Sequence, residues 1–90
     1  MKLSEVLKGL SYTCSNFCDC KISDIAYDSR KCGKDILFVC LVGAFADGHN
    51  YIKSAYDKGS RVFLCEREVE LPSDAIVIIT DNTRSALAEI

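Results

Sequence analysis

The chain has 90 residues, 49% of them apolar and 27% charged, with a formal net charge of -2. That is enough for one soluble globular domain with its own core, and too little for a nucleotide-hydrolysing module beside it. The slightly acidic balance leaves no electrostatic footprint for nucleic acid. Apolar runs stop at about seven residues, far short of the roughly 20 that cross a bilayer, so no membrane insertion is expected.

Met1-Lys2-Leu3-Ser4-Glu5 carries an acid where a signal peptide would turn apolar, which reads as a cytoplasmic protein. Leu3, Val6, Leu7 and Leu10 fall at i, i+3, i+4 and i+7 and predict a short amphipathic helix that Gly9 ends. Residues 11–21 show no period and read as a loop. Ile22 to Tyr27 mixes apolar and polar positions like a half-exposed strand. The run 36–42 is apolar on both faces and predicts a central strand covered on two sides. Asn50 is the expected cap of a helix with Tyr51, Ile52, Ala55 and Tyr56 as its apolar stripe and Gly59 at its end. Arg61 to Cys65 returns as a second buried strand, giving a strand–helix–strand unit with a right-handed crossover. After a polar link with Pro72, Ala75 to Ile79 is a further buried strand, and Asp81 or Asn82 caps a last helix carrying Ala86, Leu87 and Ile90. The expected fold is a three-layer α/β/α domain with a small mixed, mainly parallel sheet. Ending in mid-helix on an apolar residue, the chain reads as the N-terminal part of a longer protein.

Six cysteines suit a disulfide framework only in a secreted chain, and free thiols are the expectation here. Cys40 and Cys65 sit in apolar runs, where a thiol behaves as a small hydrophobe. Cys14, Cys18 and Cys20 form a C-x3-C-x-C pattern in a polar stretch that could hold a metal with Cys32 as fourth ligand. The spacing is not that of a zinc site, so no metal is expected.

In open α/β sheets ligands sit beyond the carboxyl ends of the strands, which places the candidate site at loop 43–49. Gly43 and Gly48 either let the backbone approach a phosphate at the start of the next helix or only make a tight turn. His49 and Asn50 stand where a Walker A loop carries Lys and Ser/Thr, so ATP hydrolysis by this loop is rejected. Asp28-Ser29-Arg30 has two readings as well. Ser29 can meet a base edge while Arg30 pairs an anion, or Asp28 makes an Asx-turn and Arg30 bridges to an acid such as Asp47. His49 belongs to no catalytic triad and reads as a hydrogen-bonder at the helix start.

Together, Asp28-Ser29-Arg30, Leu37-Phe38-Val39, Gly43 with Asp47-Gly48-His49, and Tyr51-Ile52 with Ala55 leading to Gly59 resemble the N-terminal domain of the Mur ligases. Met1-Lys2-Leu3-Ser4-Glu5-Val6-Leu7 looks like the E-type rather than the F-type members. The family's Pro-Gly-Asp turn is replaced here by Lys34-Asp35-Ile36. The resemblance implies a domain that holds the uridine-diphosphate end of a UDP-N-acetylmuramoyl-peptide. By position, Ser29 would contact the uracil and Tyr27 would line its pocket. Ala44, Phe45 and Ala46 would meet the pyrophosphate through backbone N–H groups, with Asp28, Arg30, Gly43, Asp47, Gly48 and His49 supporting. It also implies no catalytic residue and no cofactor in this chain. ATP, Mg2+ and the residues that use them would follow Ile90, in a parent that adds lysine or diaminopimelate to the peptidoglycan stem. The rest of that ligase chain would be the domain's other partner. An F-type ligase domain and a free-standing metal module on Cys14, Cys18, Cys20 and Cys32 are the alternatives.

Overall fold

The computed structural model describes residues 1–14, 16–43 and 47–89. Its elements are α1 (Leu3–Val6), β1 (Asp24–Ala26), a 3-10 turn (Ser29–Lys31), β2 (Ile36–Val39), a second 3-10 turn (Gly48–Tyr51), α2 (Ile52–Asp57), β3 (Val62–Cys65), β4 (Ile76–Ile79) and α3 (Thr83–Glu89). The four strands lie in the order β1-β2-β3-β4, every neighbouring pair parallel. The expected antiparallel component is confined to single bridges. One of them, Thr13 to Ile79, sets Thr13 against the outer edge of β4.

Period-two alternation sorts the side chains onto two apolar faces, which is why the central strands are apolar throughout. Leu37, Val39, Val62, Leu64, Ile76 and Ile78 point to one face and meet Leu3, Val6 and Leu7 with Ala86 of α3. Phe38, Cys40, Phe63 and Cys65 point to the other and meet Ile52 and Ala55 of α2. Two helices on one face and one on the other give the three layers expected. Phe38 and Phe63 are fully buried and meet edge to face, 6.3 Å between ring centroids, and truncating either would cost about 3–5 kcal/mol.

Some local expectations are corrected. Strand β2 ends at Val39 rather than continuing to residue 42, because Leu41 and Val42 leave the sheet to begin the loop. Asn50 caps nothing among the described residues. Asp47 does so instead, its carboxylate accepting the backbone N–H of His49, so the chain enters α2 through a 3-10 turn. Tyr51 is half exposed and drops out of the stripe, leaving Ile52 and Ala55 as its buried members. Asn82 is the residue that caps α3, accepting from Ser85 N at 2.9 Å. Ile90, expected in that helix's apolar face, lies outside the described residues.

Candidate functional site

The four parallel strands present their carboxyl ends along one edge, and the predicted site residues of β1 and β2 lie there. Past β1, Asp28 caps the 3-10 turn by accepting Arg30 N at 3.0 Å, and its carboxylate also takes Arg30 NH2 at 2.8 Å. This is the Asx-turn reading, with one change: Arg30 pairs with Asp28, not with Asp47. The hydrogen bonds from Arg30 hold the Asp28 carboxyl down at about 2. Between them Ser29 is buried and accepts Cys32 N through its carbonyl, while its hydroxyl makes no hydrogen bond among the described residues. Tyr27 is 63% exposed, so its ring stands in solvent two residues before Ser29.

Past β2, the chain leaves the sheet at Val42 and returns at Asp47, which pairs with Val42 in an antiparallel bridge. Gly43 is exposed at the start of this loop. Ala44, Phe45 and Ala46 lie outside the described residues. At the loop's end Gly48 packs against the backbone of Cys40 and Leu41 and donates to Leu41 O at 2.7 Å. Only a glycine fits so close, so Gly48 does make the tight turn that one of its two readings describes.

Asp47 and His49 are engaged on every side-chain polar atom. Asp47 Oδ1 accepts both the backbone N–H and the Nδ1 of His49, at 2.9 and 2.6 Å, and Oδ2 accepts from Arg67 at 2.8 Å. The backbone N–H of His49, then its ring, then Arg67 push the Asp47 carboxyl well below the ordinary carboxylate range. Glu66 N donates to His49 Nε2 at 3.0 Å, so the ring proton sits on Nδ1. Beyond it, Thr83 Oγ1 lies 2.8 Å from both Glu66 Oε2 and Cys40 O. The ends of β2 and β3 and the start of α3 are thereby joined in one chain of hydrogen bonds. Among the described residues, no hydrogen bond or ion pair links this group to Tyr27–Arg30.

Cys14, Cys18, Cys20 and Cys32 do not assemble into a ligand set among the described residues, because Cys14 packs toward the β4 face and Cys32 toward α2. The group of potential ligands that does come together is Cys40, His49 and Cys65, all buried. The sequence carried a signal for it: Phe38-Val39-Cys40 and Phe63-Leu64-Cys65 repeat the same pattern in neighbouring parallel strands.

A family model described as "Mur ligase family, catalytic domain" matches residues 21–90. The chain belongs to the Mur ligase family. It is 42% identical over 98% of its length to the UDP-N-acetylmuramoyl-L-alanyl-D-glutamate--2,6-diaminopimelate ligase of Clostridium botulinum. The equivalent ligase of Syntrophomonas wolfei is 39% identical, again over 98% of the chain. This Mur ligase chain spans only 19% and 18% of the length of those two relatives. In fold it is similar to a crystal structure of MurF from Acinetobacter baumannii, with TM-score 0.80, 24% identity, 97% of this chain covered and 18% of that one. The small α/β architecture is thus the Mur ligase N-terminal fold. No helix among the described residues is long and apolar enough to cross a membrane.

Proposed function

We propose that residues 1–90 form the substrate-binding domain of an E-type Mur ligase and hold the uridine-diphosphate end of UDP-N-acetylmuramoyl-L-alanyl-D-glutamate. The parent enzyme, cytoplasmic and dependent on ATP and Mg2+, adds the third residue of the peptidoglycan stem, diaminopimelate or lysine. The observation that carries this reading is the contrast along the carboxyl edge. Asp28, Asp47 and His49 are already bonded to protein, whereas the Ser29 hydroxyl has no hydrogen-bond partner among the described residues and Tyr27, two residues before it in the chain, is exposed. A hydroxyl that donates and accepts suits the amide-like edge of uracil. Backbone N–H groups of residues 44–46 are assigned to the pyrophosphate. The names of the relatives at 39–42% identity favour the E-type over the F-type, whose likeness at 24% identity carries the fold alone.

The test is a titration with UDP followed through backbone amide resonances. Binding in the high micromolar to millimolar range, about 4–6 kcal/mol, is expected for a nucleotide held by one domain. The amides of residues 27–30 and 43–49 should shift. Ser29→Ala should weaken binding about fivefold, the value of one hydrogen bond at about 1 kcal/mol, with stability unchanged. If UDP moves neither set of amides, or Ser29→Ala binds as well as the parent chain, the site is elsewhere.

A further inference from the structure

Cys40 and Cys65 are not among the residues of the proposed nucleotide site, yet they are placed for chemistry. Both are fully buried at the carboxyl ends of neighbouring strands, their Sγ atoms 3.6 Å apart. A ring nitrogen of His49 joins them, the three candidate ligand atoms lying within 4.8 Å of one another. We propose that Cys40, Cys65 and His49 form a binding site for one thiophilic d10 metal ion of the Zn2+ and Cd2+ class.

Three features support the assignment. First, the sulfur spacing is already that of a tetrahedral site: an ion about 2.3 Å from each sulfur would see them under an angle of about 100°. Second, the donor set of two thiols and an imidazole selects soft and borderline ions over Mg2+ or Ca2+, which take oxygen. Third, His49 has the outer partner that metal-bound imidazoles use. Its Nδ1–H donates to the Asp47 carboxylate, fixing the tautomer and leaving the lone pair on Nε2. That lone pair now accepts the N–H of Glu66, the residue after Cys65, so Nε2 lies on the Cys65 side and the ion would replace this one hydrogen bond.

Charge and protons balance. The ion is bound by thiolates, so each thiol gives up its proton when it ligates. Loading exchanges one divalent cation for two thiol protons, with two metal–sulfur bonds formed and two S–H bonds broken. No oxidant or reductant is needed, and the buried site gains no net charge.

The test uses the whole chain carrying Cys14→Ser, Cys18→Ser, Cys20→Ser and Cys32→Ser, which leaves Cys40 and Cys65 as its thiols, kept reduced with a phosphine. Cd2+ is titrated while the sulfur-to-cadmium charge-transfer absorption is followed, and Zn2+ competes. The expected result is one Cd2+ per chain with two protons released. Apparent affinity should rise about a hundredfold per pH unit as long as both thiols are protonated before binding. His49→Gln should weaken binding about tenfold or more, and Cys40→Ala with Cys65→Ala should remove the absorption. Circular dichroism shows whether these core variants keep the fold. Where they do not, stoichiometry and pH slope on the four-serine chain decide alone. Failure to bind, a slope of one proton or none, or absorption that survives the double alanine change in a folded chain would overturn the site.

Discussion

A single methyl group at Gly48 is enough to test how the loop is held. A Cβ there would lie 2.7 Å from Leu41 N, 2.8 Å from Cys40 Cα and 3.0 Å from Cys40 C. All three are backbone atoms where the chain leaves β2, so no side-chain rotation gives relief. To reach ordinary contact the 3-10 turn must retreat by about 0.7 Å. That movement stretches the Gly48 N to Leu41 O bond beyond useful length and draws His49 away from Glu66 N. Each of these bonds is worth about 1 kcal/mol. Residual overpacking adds about 1–2 kcal/mol, and alanine's stiffer unfolded chain returns about 0.5–1 kcal/mol. Gly48→Ala should therefore lose about 2–3.5 kcal/mol, a large share of the 5–15 kcal/mol typical of a whole domain. Urea unfolding followed by circular dichroism, with unchanged m, measures it. Gly33→Ala is the control: the nearest atom to its Cβ would be Lys58 O at an ordinary 3.7 Å and its φ is not positive, so it should stay within about 0.5 kcal/mol. A loss below about 0.5 kcal/mol at Gly48, or an equal loss at Gly33, refutes the steric argument.

Asp35 sits at φ 64 in the turn closed by Ile36 N and Gly33 O, so Asp35→Ala should cost about 1 kcal/mol while Asp35→Gly is neutral or gains up to about 1 kcal/mol. A Tm order other than Gly, Asp, Ala would contradict that. Asp28, at about 2, together with Asp47 and Glu66 is held below the unfolded values near 4 by hydrogen bonds to the ionised carboxylates. As pH falls through 4 the unfolded chain takes up protons first, so stability is full above about pH 5 and declines toward pH 2. Asp47→Asn should flatten that decline in an acid titration, and an unchanged slope would count against it. With a thiol reagent under native conditions, exposed Cys18 should react first and Cys40 and Cys65 only on unfolding; uniform reactivity of all six thiols would exclude the buried pair.

Much of this was legible in the sequence because it rests on periodicity. The two-sided apolar runs around Phe38 and Phe63 place both strands and imply helices on each face, and Gly9 and Gly59 end helices with positive φ as their spacing suggests. What could not be read depends on choices among several local hydrogen-bond partners. Asp47 and Asn50 are both good caps by composition. The tight approach of Gly48 to Cys40 decides for Asp47, because it forces a 3-10 turn that leaves Asn50 one turn too late. Arg30 had two acids within plausible reach, and the one two residues away won because its carboxylate already caps the same turn. The Cys40–His49–Cys65 group was only partly legible, through the repeated Phe-x-Cys pattern of its two thiols, for a different reason. Its members come from three separate stretches of chain, and the spacing rules for metal ligands describe ligands that are near in sequence.

The signature Asp47-Gly48-His49 draws attention as a ligand-binding motif, yet each of its members is spent on the protein. Asp47 has one oxygen on His49 and the other on Arg67, His49 has both nitrogens bonded, and Gly48 is pressed against strand backbone. A group already holding strong protein partners can hydrogen-bond a nucleotide only by giving one up, which costs about as much as the new bond returns. The motif's visible work is positional: its hydrogen bonds and close packing tie Asp47, Gly48 and His49 to the ends of β2 and β3. Rigid placement of that kind raises affinity by lowering the ordering cost of binding rather than by adding contacts. It also separates the two halves of the proposed site. On the proposed reading the motif would set where an anion sits, and discrimination between bases would fall to Ser29, whose hydroxyl has no hydrogen-bond partner among the described residues.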